Sequence, residues 1–268
     1  MDEYRTSNRS MWDELAEINA RSSFYNLPGF KAGQTSLHPL ELSELGPHVP
    51  GRSLLHLQCH FGLDTLSWAR QGARVTGVDF SPRGVELARG LAAELDIPAR
   101  FICSDLYALP AQLEETFEIV FTSYGVLTWL PDLAGWARLV ARYLQPGGIF
   151  YIAEFHPFAM MLDDESPAPR LRYDYFDPTM LVFPNNTGSY ADHSATLHTP
   201  VSYEWQHTLG EIISALCAAG LHIDFLHEQE YMCYQMAPYM PQTGPEEWRL
   251  PPDHPRLPLQ FSLMAHRV

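Results

Sequence analysis

The residues able to hold a polar ligand or move a proton stand where apolar runs end. His56, Gln58, His60, Gly62 and Asp64 follow Ser53-Leu54-Leu55, Asp79 closes Arg74-Val75-Thr76-Gly77-Val78, and Asp105 follows Ile102-Cys103-Ser104. Ser123 and Tyr124 come after the apolar run that begins at Phe117, and Glu154 and His156 after the run that begins at Ile149. An apolar run, a short loop with a glycine, a helix pattern and a second apolar run ending in Asp make a strand-loop-helix-strand unit. The loop of such a unit admits a ligand to the backbone and to a helix N-terminus, and the closing carboxylate can accept hydrogen bonds from both hydroxyls of a ribose. Asp79 lies 17 positions after Gly62, near the roughly 20 of dinucleotide-binding folds. The competing reading is an ordinary α/β crossover whose Asp79 caps the following helix.

Proton transfer has its own candidates. Glu154 and His156 are two residues apart at a strand end, and alternation turns such residues to one face, so both can approach one ligand from the rim of a pocket. Tyr124, His60, His193 and His198 are further possibilities. Each histidine also reads as a hydrogen-bonded structural residue, because a site of this kind needs at most one base. His193 and His198 lack a third ligand at motif spacing, so no metal is expected. The four cysteines, Cys59, Cys103, Cys217 and Cys233, show no C-x-x-C spacing. Neither a disulfide framework nor a zinc knuckle follows from them.

The elements that must position these groups alternate. After the Pro50-Gly51 turn a strand opens at Ser53, a crossover helix spans 64–71 and stops at Gly72, and a second strand spans 74–79. Ser81 is placed to cap the next helix with Pro82 at its first position, and that helix runs to about residue 95. Strands follow at 100–103 and 117–122, a helix at 132–144, and a fifth strand at 149–155 after the turn Pro146-Gly147-Gly148. Later come a helix over 208–219 closed by Gly220, a strand over 221–226 and a last strand over 259–265. This order predicts an α/β fold with a doubly wound, mainly parallel sheet of seven strands and its functional groups at the strands' carboxyl ends.

Outside that core, residues 10–20 read as a helix and 40–45 as a shorter one. The N-terminal stretch is either a lid over the ligand site or a helix packed on the sheet edge. Residues 157–200 carry many prolines and aromatics, too many aromatics for a disordered linker, and read as an insertion folding over the mouth of the site. Its aromatics form either a cage for a cation or ring or the insertion's own core. Residues 238–258 form a second proline-rich excursion. The expected organisation is an N-terminal helical lid at 1–50, a core at 51–156, an inserted cap at 157–206, and a C-terminal helix and edge strands at 207–268.

The 268 residues are 46% hydrophobic, enough for one large α/β domain with an insertion. A formal charge of −15 disfavours nucleic acid, whose phosphates call for clustered Lys and Arg, and favours a small-molecule partner. The N-terminus lacks an apolar signal core and no run approaches 18 apolar residues, so no membrane partner and a cytoplasmic location are expected. The sequon Asn185-Asn186-Thr187 then reads as a loop. Nothing in the sequence separates a monomer from a homodimer.

Taken in order, His56-Leu57-Gln58-Cys59-His60-Phe61-Gly62-Leu63-Asp64, Val75-Thr76-Gly77-Val78-Asp79-Phe80-Ser81, Cys103-Ser104-Asp105-Leu106, the segment from Phe117 through Tyr124 to Leu133, and Leu144-Gln145-Pro146-Gly147-Gly148 resemble the class I S-adenosylmethionine-dependent methyltransferases of small-molecule type. The resemblance covers roughly residues 53–156. It implies a Rossmann-like sheet, S-adenosyl-L-methionine as cofactor and S-adenosyl-L-homocysteine as product. It places the methionine part against the loop of Gln58, Cys59, His60 and Gly62, with Asp64 after it also in the cofactor set, the ribose hydroxyls on Asp79 beside Phe80, and the adenine amino group on Asp105 between Ser104 and Leu106. Ser123 and Tyr124 complete the cofactor set, with His156, Glu154 and Tyr124 as catalytic candidates. The family's first loop usually carries several glycines, whereas this chain keeps only Gly62. Gln58 and His60 then either crowd the cofactor or bond it, and replaced glycines cost little if the backbone there is β-like. The function implied is in-line methyl transfer to O, N or C of a small-molecule acceptor. The alternatives are a non-catalytic binder of the cofactor or a nucleoside and, third, a nicotinamide-dependent oxidoreductase, for which Gly-x-Gly-x-x-Gly is missing.

Overall fold

Seven apolar runs pair into one sheet in the computed structural model, which describes residues 3–184 and 188–268. The sequon at 185–187 lies outside the described residues. Numbered along the chain, the sheet strands are β1 (Ser53–Leu57), β2 (Arg74–Asp79), β3 (Ala99–Cys103), β4 (Phe117–Ser123), β5 (Leu144–Phe155), β6 (Leu221–Gln229) and β7 (Gln260–Arg267). Their order across the sheet is β3-β2-β1-β4-β5-β7-β6. The first five run parallel. The last strand is antiparallel to both β5 and β6 and lies between them.

Period-two alternation sends neighbouring residues of each strand into different layers. Leu55 and Leu57, with Val120, Phe150, Ile152 and Leu263, pack with the faces of α6 (Leu133–Tyr143) and α7 (Leu209–Ala218). Leu54, Ile119, Phe121, Tyr151 and Met264 pack on the other side with Trp68 of α4 (Leu63–Arg70) and with Leu37, Leu45 and Val49. A third cluster joins α4 and α5 (Pro82–Glu94) to Phe101 of β3 and Phe30. The helix starts follow their caps. Ser81 Oγ accepts the Gly84 N–H at 2.9 Å, Asp132 accepts the Gly135 N–H at 2.7 Å, and Thr208 makes a capping box with Glu211.

The start of the fifth strand differs from expectation. Leu144 already pairs with Phe117, and pairing resumes at Ile149 with Ile119 after a register shift. The Pro146-Gly147-Gly148 stretch, with Gly147 at φ +74°, is thus a bulge within β5 and not a turn before it.

The N-terminal helix α1 (Glu3–Arg21) is longer than its amphipathic pattern suggests. Its Asn8 side chain exchanges two hydrogen bonds with the Tyr203 backbone, 2.7 and 2.8 Å, and so ties α1 to the antiparallel pair Leu181–Pro184 and Val201–Glu204. Two short helices, α2 (Leu27–Lys31) and α3 (Pro39–Glu44), follow α1. Residues 230–259 leave the sheet between its last two strands. Met232, Ala237, Met240 and Leu259 there join Ala159 and Leu162 in a separate apolar cluster. Among the described residues no helix is long and apolar enough to cross a membrane.

Candidate functional site

Sheet order brings the carboxyl ends of β1 and β2 together, and their loops meet through the Asp79 carboxylate. One oxygen accepts the His60 N–H at 2.8 Å and the other the Ser81 N–H at 2.9 Å. Asp79 therefore does hold the start of α5, as the bland reading has it. Each oxygen keeps a second lone pair, so that role leaves it free to accept a ribose hydroxyl. Burial pushes its carboxyl up to about 7 against the pull of those N–H groups.

The first loop is held in a conformation that glycine favours although two of its residues are not glycine. Gln58, His60 and Gly62 have φ of 57°, 51° and 86°. The β-like backbone on which a low cost for the replaced glycines depends is therefore not present. Left-handed backbone costs a non-glycine residue about 1–2 kcal/mol, and contacts offset it here: Gln58 Nε2 donates to the Val126 carbonyl at 3.0 Å and Cys59 N–H to the Val78 carbonyl at 2.9 Å. Gly62 has no such freedom of replacement, since a Cβ there would lie 2.9 Å from Ala88 and the Phe101 ring. The Cys59 thiol is buried, and burial raises it well above its usual range. His56 turns toward α4 and bonds Thr65 Oγ1 at 2.8 Å.

α1 lies across this loop. Its Asp13 accepts Ser81 Oγ at 2.6 Å and the Arg83 N–H at 3.0 Å, and its Trp12 ring stands edge-on to His60 at 5.2 Å. The Asn19 amide nitrogen is 3.1 Å from His60 Nε2 and makes that atom the acceptor, which leaves the proton on Nδ1. Burial lowers the His60 imidazole to about 3, so it is neutral at physiological pH. His60 Nδ1, Trp12 Nε1 and Gln58 Oε1 are all buried without a hydrogen-bond partner. Two unmet donors and one unmet acceptor beside a ribose-competent carboxylate fit the oxygens and the ammonium of a nucleoside-linked amino acid.

The remaining cofactor candidates divide. At the end of β3, Ser104 Oγ donates to the Asp105 carbonyl at 2.9 Å, and Asp105 caps the short helix Leu106–Ala111 by accepting the Tyr107 N–H at 2.8 Å. Phe80 is half-buried and Leu106 buried, both beside that end of the sheet. Asp64, Ser123 and Tyr124 instead join a second polar cluster built from the N-terminal segment. Asp64 accepts Ser36 Oγ at 2.6 Å and Ser123 Oγ at 3.2 Å, and Tyr124 donates to Glu41 Oε2 at 2.9 Å. Burial raises Asp64, brings Glu41 to about 7 and holds Tyr124 far above the usual phenol range. Ser36 and Glu41 carry no sequence signal, because their partners lie 28 and 83 positions away.

Both leading base candidates are given structural work, although Glu154, unlike His156, does line a cavity as the rim-of-pocket expectation has it. Glu154 accepts backbone N–H groups from Gly125, Val126, Leu127 and Phe155, and so pins the left-handed turn at Tyr124 and Gly125. His156 is buried with Nδ1 accepting the Phe158 N–H at 3.0 Å, so the proton sits on Nε2, 3.0 Å from a Glu228 carboxylate oxygen and too far off line for a good hydrogen bond. No free lone pair is left for proton abstraction, and burial lowers the ring's basicity further. His193 and His198 are exposed.

A cavity of about 570 Å³ opens between α1, the loop after β4 and residues 157–206. Trp12, Trp129, Tyr175, Phe183 and Trp205 are among its walls. Glu204 also lines it, bonded by Thr128 Oγ1 at 3.0 Å, and burial lifts its carboxyl to about 7. Sequence reasoning passes over Glu204, which sits in an aperiodic insertion.

A sheet ordered β3-β2-β1-β4-β5-β7-β6 with the last strand reversed, carrying an acidic residue at the end of β2 beside a tight first loop, is the fold of class I S-adenosylmethionine-dependent methyltransferases. Residues 55–152 match the family model described as a methyltransferase domain. The chain is similar to ubiquinone biosynthesis O-methyltransferases from Alkalilimnicola ehrlichii, 30% identical over 148 residues (53% of this chain and 60% of that protein), and from Xanthomonas campestris pv. campestris, 30% over 151 residues (55% and 63%). It thus spans less than two thirds of the length of these curated relatives. A solved structure of an S-adenosylmethionine dependent methyltransferase from Mesorhizobium loti superposes with a TM-score of 0.58 at 22% identity, covering 85% of this chain and 96% of that one. A SAM-dependent methyltransferase from Methanosarcina mazei gives 0.59 at 15%, covering 87% and 98%.

Proposed function

We propose that this chain transfers the methyl group of S-adenosylmethionine to a neutral, ring-bearing small molecule. The observation that carries the reading is Asp79 set against the loop where Gln58 Oε1, His60 Nδ1 and Trp12 Nε1 lack partners. The bound cofactor supplies an electrophilic methyl on a sulfonium, and this chain's residues do the holding. Asp79 accepts the ribose hydroxyls, Gln58 Oε1 accepts from the ammonium, His60 and Trp12 donate to oxygens, and Asp105 receives the adenine amino group. Asp64, Ser123, Tyr124 and Glu154 keep the loops in place.

The acceptor belongs in the aromatic cavity, where its ring stacks and water is excluded. Arg172, an arginine of that wall, is engaged by Asp163 and Glu165. Glu204 and Asp164 on the wall would repel an anion. Glu204, poised near neutrality, is suited to take a proton from a hydroxyl acceptor, and the O-methyltransferase names of the relatives favour oxygen over nitrogen or carbon. Residues 1–50 and 157–206 act as lid and cap over a core at 51–156 that 207–268 completes. The acidic charge, with no long apolar helix among the described residues, supports a cytoplasmic enzyme that handles neither nucleic acid nor membrane.

Calorimetry with S-adenosylhomocysteine, S-adenosylmethionine and NAD is the test, followed by label transfer from methyl-labelled cofactor to a panel of phenols, catechols and aromatic amines. Binding of NAD without S-adenosylhomocysteine overturns the reading. Binding of S-adenosylhomocysteine with no transfer to any acceptor reduces the protein to a binder.

A further inference from the structure

Two histidines face each other far from the cofactor loops. His266 on β7 is the register partner of His222 on β6. One turn of the pleat further along β6 stands Asp224, and a register shift between Met264 and Ala265 leaves Asp224 as the extra residue of the edge strand. Asp224 Oδ1 is 2.7 Å from His266 Nδ1 and 3.6 Å from His222 Nδ1, and the two imidazoles lie 4.8 Å apart, centre to centre, at 34°. One donor atom from each of the three residues falls within 4.8 Å of the others.

We propose that His222, Asp224 and His266 form a binding site for a divalent transition-metal ion of the zinc class. Tetrahedral zinc with bonds of about 2.0–2.1 Å places its ligands roughly 3.4 Å apart. Two of the observed spacings lie within an ångström of that value, and small rotations of surface side chains close the third. Two imidazoles and one carboxylate are the donors that zinc, cobalt and nickel share, whereas calcium and magnesium want oxygen alone. Three protein ligands leave a fourth position for water. Metal bound here replaces the proton between Asp224 and His266 and fastens β6, at the edge of the sheet, to β7. His266 also pairs with Ile149, just after the bulge in β5, so the site lies toward the amino end of the parallel strands, at the opposite end of the sheet from Asp79. Sequence spacing could not reveal it, because His266 stands 42 positions after Asp224 and meets the His222–Asp224 pair only through strand pairing.

The test uses the full chain, stripped with chelator and titrated with Zn²⁺ by calorimetry and with Co²⁺ by visible absorption. The expected result is a single site and tetrahedral cobalt absorption. Zn²⁺ should raise the melting temperature, and the rise should vanish in His222→Ala, Asp224→Asn and His266→Ala. Removal of a direct ligand should weaken binding by more than the roughly 10–100-fold that loss of a supporting group costs. His193→Ala, at an exposed histidine elsewhere, should bind as the wild type does. Failure of the wild type to bind Zn²⁺, or undiminished binding by a folded His222→Ala/His266→Ala double variant, refutes the proposal. S-adenosylhomocysteine affinity is measured on the same samples and should not change, which separates this outcome from failure of the methyltransferase reading.

Discussion

Affinity for S-adenosylhomocysteine should rise with pH through neutrality, and Asp79 should be the cause. A carboxylate accepts two ribose hydroxyls only when ionised, whereas burial brings this group to about 7 in the free protein. Binding therefore favours the ionised form, so affinity is fully present above that value and lost as pH falls through it. At pH 6 about one molecule in eleven carries an ionised Asp79, and at pH 8 about ten in eleven, so affinity should change by roughly tenfold, or about 1.4 kcal/mol. His60 is neutral throughout this range and burial raises the Cys59 and Cys103 thiols, but burial also brings Glu41 and Glu204 to about 7, so the Asp79 variant is needed to separate their effect. The assay is calorimetry at pH 6, 7 and 8 at constant ionic strength, beside Asp79→Asn, whose affinity should be lower and flat with pH. A flat wild-type profile, or the same slope in the variant, refutes the reasoning.

Glu154→Gln should cost about 2–4 kcal/mol of stability. An amide keeps one acceptor oxygen for four N–H groups, each bond to the carboxylate being worth roughly 1.5–3 kcal/mol before the offset from desolvation; an unchanged denaturation midpoint would contradict it. Gly62→Ala should lose about 2–4 kcal/mol, because a left-handed φ of 86° is combined with a Cβ 2.9 Å from Ala88 and Phe101, and chemical denaturation at constant m value checks it. His156→Ala leaves the Phe158 N–H unmet, so melting should fall by the equivalent of about 1–3 kcal/mol. S-adenosylhomocysteine affinity and saturated turnover should hold in that variant, and a large loss of turnover would restore His156 as a base.

Local rules carried the sheet a long way. Apolar runs ending in polar residues, Ser81 before Pro82, and the return of the pattern at residues 208–265 are dictated by steric and hydrogen-bonding preferences acting over a few residues, and these fixed the strands, the helices and Asp79 at its strand end. Tertiary structure decided what those residues face. Glu154 and His156 looked alike as bases, but whether a buried carboxylate or imidazole has a lone pair to spare depends on N–H groups brought by the fold, and here those groups take it. The same holds for Trp12 and Asn19 against His60, Glu41 against Tyr124, Glu204 in the cavity wall, and His222 opposite His266. Each is a contact between segments distant in sequence, set by strand order and register, and no periodicity within either segment contains it.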